Sequence, residues 1–308
     1  MSFSAQVKTE LCRVPIQKRC CAQAEAYGAL LYANSFAPEE IRIITGCPDF
    51  RDRLPRLFRR AFGLDFDGEE SRAGGRQIAL VITDRAKIRA IFAAFGFDTD
   101  QTLAHHINLG VLENDCCRMS FLRGAFLAGG SITDPMKRYH LELVTDHYSV
   151  ARETYAFLRE LGFTPHDATR KGNYITYFKQ SEAIEDFFTT IGATTASMSI
   201  MEAKVEKDMR NAVNRKVNCD TANADKTVAA SMGQLEALRA LDEAVGIANL
   251  PDKLRDAALL RIANPEASLA DLSLLSNPRV TKSCLSHRLK KLADMARELN
   301  TVNQTGGE

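Results

Sequence analysis

The sequence predicts an α+β fold: a duplicated αββαββα domain, joined by a helical linker to an all-α helix-turn-helix domain. Three observations carry this. A nine-residue helical segment occurs twice, as Tyr27-Gly28-Ala29-Leu30-Leu31-Tyr32-Ala33-Asn34-Ser35 and, 95 positions later, as Leu122-Arg123-Gly124-Ala125-Phe126-Leu127-Ala128-Gly129-Gly130. Four β-rich runs each lead into a helical run closed by an apolar residue and Gly, and corresponding glycines of the two halves lie 99 and 96 residues apart. Near the end, residues 278–292 hold five cationic side chains, one His and no acid, interleaved with leucines at helical spacing.

In chain order, the first half offers its paired segment, then Ile41–Thr45 leading to Phe62-Gly63, then 79–83 leading to Phe95-Gly96. The second half repeats this with 141–145 leading to Leu161-Gly162, and 174–178 leading to Ile191-Gly192. Glycine after a helix reads as a C-terminal cap, because the left-handed conformation costs it nothing. Polar, Gly-containing stretches at 67–75 and 170–173 supply hairpin turns. This order resembles the LAGLIDADG homing-endonuclease fold in its single-chain, two-repeat form. In that family the paired helices cross on a pseudo-twofold axis through small residues, which the resemblance puts at Ala29, Ala33, Gly124 and Ala128.

The same resemblance implies an acid just before the final Gly of each motif, where paired carboxylates hold a hard divalent cation at the scissile phosphates. Aligned motif on motif, Asn34 and Gly129 fall there, and neither is acidic. Catalysis is therefore expected to be lost, with no catalytic residue, no metal and no cofactor. Residues 1–200 hold 24 Lys and Arg against 24 Asp and Glu. That balance argues against a dominant phosphate-binding surface, although Arg42, Arg72, Arg76, Lys137, Arg138, Arg170, Lys171 and Lys179 are available to a strand face. His105, His106, His140 and His147 lack ligand spacing and read as structural histidines.

Residues 201–230 form the linker, with Val205, Met209, Val213 and Val217 in a stripe that predicts a helix lying on a core. Its string Arg210-Asn211, Asn214-Arg215, Asn218-Cys219-Asp220 and Asn223 is distinctive. From here to Leu292 the chain resembles the WhiA family, bacterial DNA-binding regulators of sporulation and cell division that join a degenerate LAGLIDADG domain to a helix-turn-helix. The resemblance implies a role in transcription and in cell division, chromosome segregation or sporulation.

Residues 231–299 are expected to be the helix-turn-helix domain, and 300–308 a disordered tail. Leu250-Pro251-Asp252 opens a helix with Leu254, Ala258, Leu259 and Ile262 inward, and Asn264-Pro265 stops it. Ser268 caps a short helix bearing Leu269, Leu272 and Leu275; a turn follows at Ser276-Asn277-Pro278. A third helix from about Thr281 sets Leu285, Leu289 and Leu292 on one face and Lys282, Ser283, Ser286, His287 and Lys290 outward. A helix-turn-helix presents its second helix to the major groove, N-terminal residues toward the bases. By residue type, Arg279, Lys282, Lys290 and Lys291 suit phosphates, and Ser283, Ser286, His287 and Arg288 suit base edges. The family pattern Lys-Ser-Gly-Val-Asn-His-Arg-Leu here carries Cys284, Leu285 and Ser286; with Ser for Asn at a base-reading position the resemblance does not carry the exact operator over, while binding is expected to survive.

Double-stranded DNA is thus the expected partner, with another transcription or cell-division protein open to the N-terminal domain. Two alternatives stand beside it: a residual metal-dependent endonuclease, and a protein-binding adaptor with secondary DNA contact. No run of 18 apolar residues occurs and the opening segment lacks a signal peptide's apolar core, so a cytoplasmic, nucleoid-associated location is expected, without membrane contact. The eight cysteines contain no Cys-x-x-Cys and read as reduced thiols, mostly buried.

Overall fold

A computed structural model describes residues 1–71, 77–100 and 104–305, with backbone alone for 300–305. The chain separates into two compact units, Met1–Met209 and Arg210–Glu308. The first opens with α1 (Phe3–Cys12), capped by Ser2, and continues as α2 (Arg19–Leu31), β1 (Ser35–Phe36), β2 (Ile41–Thr45), α3 (Pro48–Phe62), β3 (Gly68–Ser71), β4 (Ile78–Ile82) and α4 (Arg85–Ala94). A 3-10 turn (Leu109–Leu112) precedes the second copy: α5 (Asp115–Gly129), β5 (Gly130–Ile132), β6 (Leu141–Thr145), α6 (Tyr148–Glu160), β7 (His166–Arg170), β8 (Asn173–Phe178) and α7 (Ser181–Ile191). Each copy forms an antiparallel four-stranded sheet, β1-β2-β4-β3 and β5-β6-β8-β7. The αββαββα duplication is present, and the four closing glycines all take positive φ, between 74° and 96°.

The two copies meet through α2 and α5. A Cβ on Gly28 would lie 2.1 Å from the Phe121 carbonyl oxygen, and one on Gly124 only 1.9 Å from that of Glu25, so the crossing admits glycine alone. The equivalent pair is Gly28 and Gly124, 96 residues apart; Ser35 and Ser131, which lie opposite Arg42 and Glu142 in the first strand pairing of each sheet, repeat that interval. The true interval is therefore one residue longer than the motif alignment gave. Ala33, not Asn34, is the counterpart of Gly129, while the Asn34 side chain accepts a hydrogen bond from the Ile44 amide at 2.9 Å.

A buried charge cluster locks the crossing. Arg53 of α3 donates to Glu25 of α2 at 2.6 and 2.8 Å, and Arg123 of α5 reaches the same carboxylate at 3.2 Å. The remaining donors go to main-chain carbonyls: Arg53 to Cys12 and Val14, Arg123 to Ile191. Five helices, α1, α2, α3, α5 and α7, and the turn after α1 thus share one network.

The linker is part of a single helix, α8 (Thr194–Ala244), longer at both ends than 201–230. The Glu10 carboxylate accepts from the amides of Thr195 and Ala196, satisfying two orphan donors at its start. Ala196, Ile200 and Ala203 are buried, but Val205, Met209, Val213 and Val217 are 55–67% exposed. The stripe does not lie on a core: valine spacing marked a helix and misplaced its environment. Of the eight cysteines only Cys12, Cys47 and Cys117 are buried, against the expectation that most would be.

The second unit carries the end of α8, then α9 (Asp252–Ala263), α10 (Leu269–Leu275) and α11 (Lys282–Thr305). Its core joins Leu238 and Leu241 of α8 to Leu254, Ala257, Ala258, Leu272, Leu285, Leu289 and Leu292. Leu259, Ile262 and Leu275, expected inward, are 44–56% exposed, since Ala257 and Arg261 take the inner face of α9 instead. Helix α11 runs on into the stretch 300–308 expected as a tail; 306–308 lie outside the described residues.

Candidate nucleic-acid interface

Three local devices position α11. Ser268 and Asp271 form a reciprocal capping box that starts the seven-residue α10, a helix too short to persist by propensity. The Ser276 hydroxyl accepts from the Val280 amide at 2.9 Å and donates to the Ser273 carbonyl, which closes the turn between α10 and α11. Thr281 accepts from the Cys284 amide at 3.2 Å and so caps α11. Arg261, 2% exposed, braces the other side of α10: it donates to the Ser231 hydroxyl and to the carbonyls of Ala267 and Asn264. Burial holds its guanidinium below the ordinary value. Its position among apolar residues on α9 gave the sequence reading no signal, because a buried arginine is indistinguishable from a surface one until its carbonyl partners are seen. Ser268→Ala is expected to cost about 1 kcal/mol, read as a lower denaturant midpoint for the C-terminal unit, with weaker ligand binding by the full chain.

With Leu285, Leu289 and Leu292 buried, the opposite face of α11 presents Lys282, Ser283, Ser286, His287, Lys290 and Lys291, all exposed, and Arg279 is exposed in the preceding turn. Among the described residues no ion pair involves Arg279, Lys282, Lys290 or Lys291. The positive charge on this face is therefore available to an external anion. Arg288 stands apart from it. Half-buried, it lines a cleft with Asp256, Leu260, Asn277 and Pro278.

The strand faces of the first unit differ. Arg42 is bound by Glu40 and Glu70 at 2.8 and 2.7 Å, Arg170 lies 3.3 Å from Glu142, and Lys179 sits over the Tyr177 ring. Lys171 occupies the β7–β8 turn at φ 53°, and Lys137 and Arg138 follow β5 in the loop before β6. Arg72 and Arg76 lie outside the described residues. At the degenerate nuclease positions, a Cβ on Gly129 would meet the Val144 carbonyl at 2.5 Å and the Tyr32 ring at 2.7 Å, and Ala33 offers a methyl group. Neither supplies an oxygen ligand. The histidines have protein partners: His105 Nε2 donates to the Phe36 carbonyl at 2.5 Å, and His106, His140 and His147 lie beside Glu153, Glu142 and Asp146. No helix among the described residues is long and apolar enough to cross a membrane.

Comparison with known proteins agrees with both units. Residues 118–210 match the model of the WhiA LAGLIDADG-like domain, and 213–296 that of the WhiA C-terminal HTH domain. The chain is 37% identical to the probable cell division protein WhiA of Ruminiclostridium cellulolyticum over 99% of its own length and 100% of that protein. It is 33% identical to the corresponding Staphylococcus aureus protein over 99% of each. Full-length WhiA from Thermatoga maritima has a similar crystal structure, with a TM-score of 0.59 at 25% identity over 97% of this chain and 99% of that one. Whole-length identity and both domain models together show that the chain belongs to the WhiA family.

Proposed function

We propose that the chain is a non-catalytic, sequence-specific DNA-binding regulator of transcription, acting in cell division, as the names of its relatives suggest, and in chromosome segregation or sporulation. The observation that carries this is the exposed face of α11, with unpaired cations and small polar side chains on the second helix of a helix-turn-helix. Arg279, Lys282, Lys290 and Lys291 serve as phosphate contacts; Ser283, Ser286 and His287 approach base edges. Arg288, half-buried beside the cleft, approaches base edges from the margin of this face. The first unit orients the module or receives a protein partner.

Cleavage finds no support, because Ala33 and Gly129 supply no carboxylate to hold a metal at a phosphate. Purified full chain incubated with supercoiled plasmid and Mg²⁺ or Mn²⁺ is expected to retard the plasmid without nicking it. Metal-dependent nicking that tracks the purified protein would overturn the non-catalytic reading.

A further inference from the structure

The four cysteines Cys20, Cys21, Cys116 and Cys117 come from two adjacent pairs far apart in sequence, and their sulfur atoms all lie within 4.8 Å of one another. The pairs are copies of each other: Cys20 and Cys116, and Cys21 and Cys117, are both 96 residues apart, the interval that relates Gly28 to Gly124 at the helix crossing. The pseudo-twofold axis exchanges Cys20 with Cys116 and Cys21 with Cys117, so each helix brings the same pair to the cluster. We propose that these four sulfurs form a mononuclear tetrathiolate zinc site on the pseudo-symmetry axis, clamping the first turns of α2 and α5 together.

The geometry suits one ion. Zinc takes four sulfur ligands at about 2.3 Å in a tetrahedron, which sets sulfurs about 3.8 Å apart, inside the observed limit. A polynuclear iron–sulfur cluster also takes four cysteines, but it interposes inorganic sulfide and sets the sulfurs on different irons farther apart than the 4.8 Å found here. Binding exchanges four S–H bonds for four S–Zn bonds, releases four protons to solvent and changes no oxidation state. The product is a dianionic centre, and it would sit at the N-terminal ends of two long helices, whose free amides and dipoles favour thiolates. Lys18 lines the recess beside Cys21 and Cys116 and adds a cation. The burial is graded, with Cys20 exposed, Cys21 and Cys116 half-buried and Cys117 buried, so the ion has a route of entry. The site lies about 18 Å along α2 from Ala33. It is therefore separate from the degenerate nuclease positions, and its role is to hold the two copies in register at the solvent-facing end of the helix crossing.

The test uses untagged full-length protein purified under reducing conditions without chelator. Elemental analysis is expected to find about one zinc per chain, and anaerobic replacement by Co²⁺ is expected to give the d–d bands and intense sulfur-to-metal charge transfer of a tetrahedral tetrathiolate. The double variant Cys21→Ser/Cys116→Ser should lose the metal, and Cys219→Ser/Cys284→Ser should keep it. If the first variant fails to fold, the cobalt spectrum of the unaltered chain still decides the matter. Less than about a tenth of an equivalent of zinc together with no charge-transfer band, iron in place of zinc, or a Cys21–Cys116 or Cys20–Cys117 disulfide recovered from cells lysed into alkylating agent would each overturn the proposal.

Discussion

Glu25→Ala is expected to destabilise the N-terminal unit by about 3–5 kcal/mol, the usual consequence of removing one partner from a buried ion pair. The side chains of Glu25 and Arg53 are each 3% exposed and that of Arg123 is 11% exposed, so the variant leaves two guanidinium groups buried without a counter-charge. A water that enters the vacated position brings no negative charge, and both cations remain tied to the carbonyls of Cys12, Val14 and Ile191. A domain stable by about 5–15 kcal/mol loses a large share of that margin. Urea unfolding of the full chain followed by circular dichroism should show the N-terminal transition moving to lower denaturant. Glu25→Gln should fall between, since the amide oxygen still accepts while the negative charge is gone. A change below about 1 kcal/mol would rank the cluster with exposed pairs and refute its role as the lock of the helix crossing.

Replacing Arg279, Lys282, Lys290 and Lys291 together by Ala is expected to weaken duplex binding about a thousandfold near physiological salt and to flatten the slope of log K against log salt by about 3 to 4, because each phosphate contact releases close to one counterion. All four side chains are exposed and none carries core packing, so the variant should fold as the parent does. The loss should be uniform across DNA sequences, as expected of residues that touch only the backbone. An unchanged slope would mean that the phosphate contacts lie elsewhere on the chain.

Much of this was legible in the sequence because glycine and leucine report local geometry. The four closing glycines reported a left-handed cap that other residues adopt at a cost, and the α11 leucines reported a face through their spacing. What periodicity does not report is the surroundings. Val205, Met209, Val213 and Val217 keep a helical rhythm along a stretch of α8 that no core covers, and Leu259 and Ile262 give way to Ala257 and Arg261 on the inner face of α9. The repeat interval was misjudged by one because sequence similarity aligned side chains, whereas the contact is set by where two backbones touch, at Gly28 and Gly124. That single residue moved the degenerate position from Asn34 to Ala33. The cysteines were missed for a related reason: adjacent residues carry no ligand spacing within one segment, and only duplication folded onto itself brings the two pairs together.

In the proposed function, α11 is the surface that meets duplex DNA. A photoreactive benzoylphenylalanine introduced at position 286 of the full chain should cross-link to duplex DNA on irradiation, while the same group at position 177 on the β8 strand face should not. Cross-links from position 177 with none from position 286 would contradict it.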